Sequence, residues 1–328
     1  MGANASGFTK RQENVAIGAL LLGTVFWGCG FTLAKSAGEA VQDTAGLPHG
    51  AAFGPIFLLA WRFLFATILW FLVFPNARRG WTWRGFGWAM LVGLLLAGAL
   101  ISQHIGLDRT SEAVSAFLTS LTILFVPLLM IFVYRKPPRP ALWIGVVLAT
   151  LGVWLMTGAQ PRGFGWGEVL GLACAFFYSI YILAVNEASV HETAWRLVGA
   201  QFGVVAVMCF VACPFLAGGK IVLHPHAMAS ILSAPVVYTN LALLTVFTTL
   251  VSFGLLTFYQ PRIDPTRASL VYLAEPIFAT VYAAIAAGHK AGQMTLAGAA
   301  LILIANVVVE VLSSRGKSAP EEKIVLVD

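Results

Sequence analysis

The sequence predicts an all-α membrane protein with ten transmembrane helices, arranged as two inverted five-helix repeats. Three observations carry that expectation. Apolar residues make up 59% of the 328 and charged residues only 10%, with a mean hydropathy of +0.85, far from the composition of a soluble domain. Ten apolar runs, each near the ~20 residues a helix needs to cross a bilayer, are separated by polar breaks. The basic residues gather on alternate breaks.

The runs cover 14–35, 55–74, 86–107, 113–134, 140–158, 166–186, 195–216, 235–259, 267–288 and 292–313. The breaks at 107–113, 134–140 and 288–292 are short enough to force antiparallel hairpins. The stretch 36–54, with Glu39, Asp43, Pro48 and His49, reads as a long polar surface loop at the outer mouth. With the N-terminus cytoplasmic, the outer loops hold only Arg109, Arg162, Lys220 and Lys290 of the 20 Lys and Arg. Lys35 and Arg62 lie in or at the membrane, and the rest fall on inner loops and tails. That asymmetry puts both termini in the cytoplasm, at a cell (inner) membrane. It also accounts for the +6 net charge without a nucleic-acid partner.

Cys29, Cys174, Cys209 and Cys213 sit in apolar runs with no Cys-x-x-Cys spacing, so they read as small core residues. His224 and His226 flank Pro225, and two ligands make a poor metal site, so no metal and no cofactor is expected. The first run lacks a small-residue cleavage site and reads as a retained span. No phosphate loop or Ser-His-Asp order appears, which argues against an ATP-driven pump. His49, His104, His191 and His289 are scattered over separate loops, which argues against an enzyme acting on lipid.

The halves resemble each other. At a gapless offset of 153, Val114-Ser115-Ala116-Phe117-Leu118 falls on Arg267-Ala268-Ser269-Leu270-Val271, Thr122 on Glu275, and Gly145 on Gly298. A second match sets Phe26-Trp27-Gly28 on Phe177-Tyr178-Ser179. Five spans is an odd number, so the second copy enters from the opposite side, and such repeats place their solute site near the midplane. The chain then divides into a tail (1–13), a first repeat (14–160), a second repeat (161–313) and a tail (314–328).

The ninth run carries Glu275 eight residues in, roughly 12 Å deep at ~1.5 Å per residue. An acid there usually faces a polar interior and marks an ion or solute path. Pro276 frees a carbonyl one turn back, which lipid tolerates only beside protein or a wet cavity. Tyr272, Glu275, Ala279 and Tyr282 share its face. Four further stripes recur at helical spacing. The eighth run has Tyr238, Thr245, Thr248, Thr249, Ser252 and Tyr259; the fourth has Ser115, Thr119 and Thr122; the sixth has Cys174, Tyr178 and Tyr181; the first has Thr24, Trp27, Gly28 and Lys35. Any one hydroxyl on a membrane helix serves mostly to bond a neighbouring turn, but five converging stripes point to one cavity.

The candidate solute-binding residues are Trp27, Thr119, Thr122, Tyr178, Tyr181, Thr248, Thr249, Ser252, Tyr259 and Tyr272. Three roles are open to Glu275: proton carrier, ligand for a solute amine, or hydrogen-bonded structural brace. Arg62 lies about 10 Å below the outer surface, where it either satisfies carbonyls or reaches inward to Glu275. Lys35 reads as an interface residue, and Gln103 with His104 as an outer helix end.

Trp27-Gly28-x-x-Phe31-x-x-x-Lys35, Trp61-Arg62-Phe63-Leu64-Phe65-Ala66, Pro265-Thr266-Arg267-Ala268-Ser269 leading into Glu275-Pro276-Ile277-Phe278-Ala279, and Leu296 to Leu303 together resemble the EamA-type family of the drug/metabolite transporter superfamily. The likeness runs from about residue 14 to 312. It implies a ten-helix carrier, often an exporter of amino acids, metabolites or toxic organic compounds, with a cavity lined by helices 1, 3, 4, 6, 8 and 9. Arg135-Lys136 and Gly288-His289 stand where that family often has Gly-Glu. The expectation is a monomeric secondary carrier for a small-molecule substrate in a lipid bilayer, working by alternating access. An uncoupled facilitator is the nearest rival.

Overall fold

The computed structural model describes residues 8–110, 112–135, 140–157, 165–287 and 292–315, and the described residues contain helices and no strand. Lys136, Arg139, Arg162, Gly288, His289 and Lys290 lie outside them. The helices are α1 (Lys10–Ala45), α2 (Phe53–Val73), α3 (Trp83–Leu107), α4 (Glu112–Ser120), α5 (Thr122–Tyr134), α6 (Pro140–Thr157) and α7 (Trp166–Ala188). They continue with α8 (Ala194–Ala212), α9 (Pro225–Ser233), α10 (Pro235–Leu243), a π-helical stretch (Leu244–Val251), α11 (Ser252–Tyr259), α12 (Pro265–Tyr272), α13 (Ala274–Ala287) and α14 (Gln293–Arg315). Among the described residues, six segments are long and apolar enough to cross a membrane: Lys10–Ala45, Phe53–Val73, Trp83–Leu107, Trp166–Ala188, Ala194–Phe215 and Pro235–Arg262. The other four expected runs appear as α4 with α5, as α6, as α12 with α13, and as α14.

Two of those runs are broken in the middle. At Leu121 and again at Leu273 the backbone sits at φ −64°, ψ −8°, and each residue's N–H turns back to the carbonyl three before it, Leu118 or Leu270, at 3.1 Å. The matched breaks stand one residue out of register with the 153-residue offset. After the second break Pro276 falls in the first turn of α13, where an N–H has no intrahelical partner and its loss costs nothing.

The two halves interlock by a pattern that survives exchanging them. α3 packs on α7 as α1 packs on α10, the π-helical stretch and α11. α4 and α5 pack on α7 as α12 and α13 pack on α1, while α2 packs on α8 and α6 on α14. Small residues set the closest approaches. A Cβ at Gly28 would lie 2.7 Å from the backbone nitrogen of Ala279, so α1 and α13 meet backbone to backbone. One at Gly152 would lie 2.8 Å from the carbonyl oxygen of Gly298, which does the same for α6 and α14.

The stretch 36–54 is not all loop, because α1 continues to Ala45 and ends on Gly46 in the left-handed conformation. Ala37, Gly38, Val41 and Gln42 recur at helical spacing and are buried there, so packing sustains a helix whose composition is too polar to read as a span. The segment after α8 likewise carries a short helix, α9, where a loop was expected.

Candidate functional site

A chamber with room for water of about 70 Å³ lies between the halves. α1 contributes Trp27 and Phe31, α2 Arg62, α3 Gln103 and His104, and the α4–α5 break Thr119, Ser120 and Thr122. The second half adds Tyr178 from α7, Thr248 and Phe253 around the π-helical stretch, and Ser269, Tyr272 and Glu275 from the α12–α13 break. Both helix breaks therefore open on the chamber. That is where irregular backbone at membrane depth is tolerated.

Its walls are fixed by bonds that cross between the halves. Trp27 Nε1 donates to the Thr248 carbonyl at 3.1 Å, and the indole packs against Phe253 and Tyr272 with ring centroids 5.1 and 5.7 Å away. Arg62 is only 4% exposed, and its Nε donates to Thr249 Oγ1 at 2.5 Å. Thr249 passes the bond on to the Leu244 carbonyl five residues back, the spacing of a π-turn. Such π-turns are frequent at functional sites. The carboxyl group of Glu275 sits in the first turn of α13 facing the chamber, and it has no hydrogen-bond partner among the described residues. Tyr178 faces the same chamber as Arg62 and Glu275.

The expected site residues thus separate into two groups. Trp27, Thr119, Thr122, Tyr178, Thr248, Tyr272, Arg62 and Glu275 line the chamber. Tyr181, Thr249, Ser252, Tyr259 and Lys35 lie behind or beyond it. Tyr181 is fully buried and donates to Gln201 Oε1 at 2.9 Å; Ser252 donates to the Gly23 carbonyl at 3.1 Å; Tyr259 lies under Arg262, 4.6 Å from Cζ to ring centroid. Lys35 points at the Thr110 carbonyl, 3.5 Å away.

The hydroxyls at the α4–α5 break are anchored to the backbone. Thr119 and Thr122 donate to the carbonyls of Ser115 and Thr119 around the α4–α5 break, at 3.0 and 2.6 Å. Gln103 and His104 are not surface caps: His104 is 7% exposed, holds the Leu100 carbonyl through Nδ1 at 2.9 Å, and faces the chamber. Gln103 donates to Thr119 Oγ1 at 3.4 Å. Ser269 and Phe31 also line it and were not among the candidates. The continuation of the Leu96, Leu100, Gln103, Leu107 stripe, buried along its length, is the signal that would have placed Gln103 inward.

A helical membrane protein whose chamber, set with a few polar side chains, lies between two interlocked halves has the build of a solute transporter. Residues 14–158 and 165–310 each match the EamA-like transporter family, and the chain belongs to that family. It is 24% identical over 291 residues to an uncharacterized transporter of Archaeoglobus fulgidus, covering 88% of this chain and 84% of the relative. A solved crystal structure shares the fold at a TM-score of 0.63 and 19% identity, covering 89% of this chain and 98% of that one.

Proposed function

We propose that the protein is a ten-span carrier of two inverted five-helix repeats, 14–160 and 161–313, that moves small amphoteric organic solutes, amino acids among them, by alternating access. The observation that supports this best is the pair Arg62 and Glu275. One basic and one acidic, they face one chamber, and neither has an ion-pair partner among the described residues. A solute carrying both an anionic and a cationic group satisfies both walls at once, while a singly charged solute leaves one buried charge unmet. Trp27, Tyr178 and Tyr272 supply aromatic faces for a cation or an apolar side chain.

The contact pattern that survives exchange of the halves supports the repeat, and the odd number of runs in each half supports its inversion. A chamber of about 70 Å³ holds on the order of five waters, so an organic solute enters only when helices part. This is the behaviour of a carrier in a contracted state. Both termini lie in the cytoplasm on this reading, the protein acts as a monomer in the cell (inner) membrane, and export is the direction the family resemblance implies. Glu275 carries the coupled proton.

The test is a thermal-shift screen of purified protein against amino acids, organic cations, organic anions, sugars and nucleosides. Zwitterions are expected to raise the melting temperature, since a ligand at 100 times its Kd stabilises by about 2.7 kcal/mol. Stabilisation by sugars or by singly charged compounds alone contradicts the assignment.

A further inference from the structure

Two contacts of the same design tie the start of one half to the approach to the other half's broken helix. In the first turn of α1, Glu13 is 8% exposed and its Oε2 accepts from Arg267 Nη1 at 3.1 Å. Arg267 lies in the first turn of α12, less than one turn ahead of the chamber residue Ser269. In the first turn of α7, Glu168 Oε1 accepts from Thr110 Oγ1 at 2.9 Å. Thr110 leads into α4, one and a half turns or so ahead of the chamber residue Ala116. In each case the opening helix of one half carries a glutamate that reaches the approach to the other half's broken helix. The 153-residue offset does not align the two acids, so the correspondence is visible only in space.

We infer that Glu13 and Glu168 are matched latches whose alternating release opens the chamber toward opposite membrane faces. The inference rests on the carrier reading, in which five crossings separate the start of α1 from the start of α7. The latches are unequal. Glu13 meets a guanidinium, with 11% and 16% of the two side chains exposed, and a charge-assisted bond so sheltered is strong and weakly screened by salt. Glu168 meets a neutral hydroxyl and gives its other oxygen to the Gly165 N–H at 2.9 Å, whereas in α1 the cap is made by Thr9 and Gln12. The Glu168 latch therefore releases first, and the resting protein opens toward that face.

The experiment places single cysteines at Ala116 and Ser269 in a background with Cys29, Cys174, Cys209 and Cys213 replaced by alanine, and measures their labelling by a membrane-impermeant maleimide in vesicles of both orientations. In otherwise unaltered protein, Ala116→Cys is expected to label from the Glu168 face and Ser269→Cys slowly from the Glu13 face. Glu13→Gln raises Ser269→Cys labelling about tenfold and lowers that of Ala116→Cys, the reciprocal shift of losing one charge-assisted bond in a two-state equilibrium. Glu168→Gln shifts both the other way. Arg267→Lys, which keeps the charge, leaves labelling near its original rate and guards against reading a folding defect as release. Faces that differ but rates that neither glutamine variant moves, or that both raise together, overturn the latches alone. Labelling of both cysteines from one face overturns the carrier reading itself.

Discussion

Arg62 reaches from α2 to the π-helical stretch and donates through Nε to Thr249 Oγ1 at 2.5 Å, a buried bond joining the two halves beside the chamber. The guanidinium also lies 5.3 Å from the centre of the Phe63 ring. A cation so deeply placed needs every one of these partners. Removing the hydroxyl with Thr249→Val leaves the shape and takes away the acceptor, and is expected to destabilise the protein by about 1–2 kcal/mol, the range for a charge-assisted bond tempered by the values seen between membrane helices. Unfolding in mixed micelles by a denaturing detergent reads it. A variant as stable as the parent contradicts the role given to this bond.

Gly28 and Gly18 lie on the same helix and should answer differently to alanine. At Gly28 the added carbon meets the Ala279 nitrogen and Phe278 Cβ at 2.7 Å, whereas at Gly18 it meets nothing within 4 Å. Gly28→Ala is expected to cost about 1–3 kcal/mol by forcing α1 from α13. Gly18→Ala should be neutral or stabilising by up to about 1 kcal/mol, as for any glycine in a helix. The same unfolding assay compares them, and equal effects would refute the close crossing.

How much of this was written in the sequence depends on what kind of signal each feature leaves. Apolar runs mark where a chain can sit in lipid, so the helices through Phe53–Val73 or Trp166–Ala188 were legible directly. The end of α1 was not, because its polar turns are held by tertiary packing; Gln42, for instance, donates to the Ala51 carbonyl and to Asp108 Oδ2, both at 2.8 Å. Stripe periodicity brought Trp27, Tyr178, Thr248, Tyr272 and Glu275 to one wall set. It could not tell Thr248 from Thr249, since the π-helical backbone between them departs from the 3.6-residue step on which the stripe was counted. The partner of Arg62 is 187 residues away in the chain and leaves no local trace.

His49, on the turn after α1, is hydrogen-bonded through Nε2 to Asp43 Oδ1 at 2.8 Å. That bond, and then the charge of Asp43, hold the imidazolium above the ordinary histidine range. Because the folded value is raised, the contact favours the folded turn below the ordinary histidine pKa, and the contribution disappears as pH rises through the folded one. Titration of His49 by NMR is expected to show the raised midpoint, and Asp43→Asn to lower it. An unshifted midpoint in the parent protein, or no response to Asp43→Asn, contradicts the pairing.

The account depends most on Glu275 facing the chamber as the group that couples solute to protons, and transport in proteoliposomes addresses it directly. With a pH gradient imposed, the parent protein is predicted to accumulate a zwitterionic amino acid found in the screen. Glu275→Gln is predicted to lose the gradient-driven accumulation while still exchanging labelled for unlabelled solute at equilibrium. Accumulation by Glu275→Gln equal to that of the parent protein would contradict the claim.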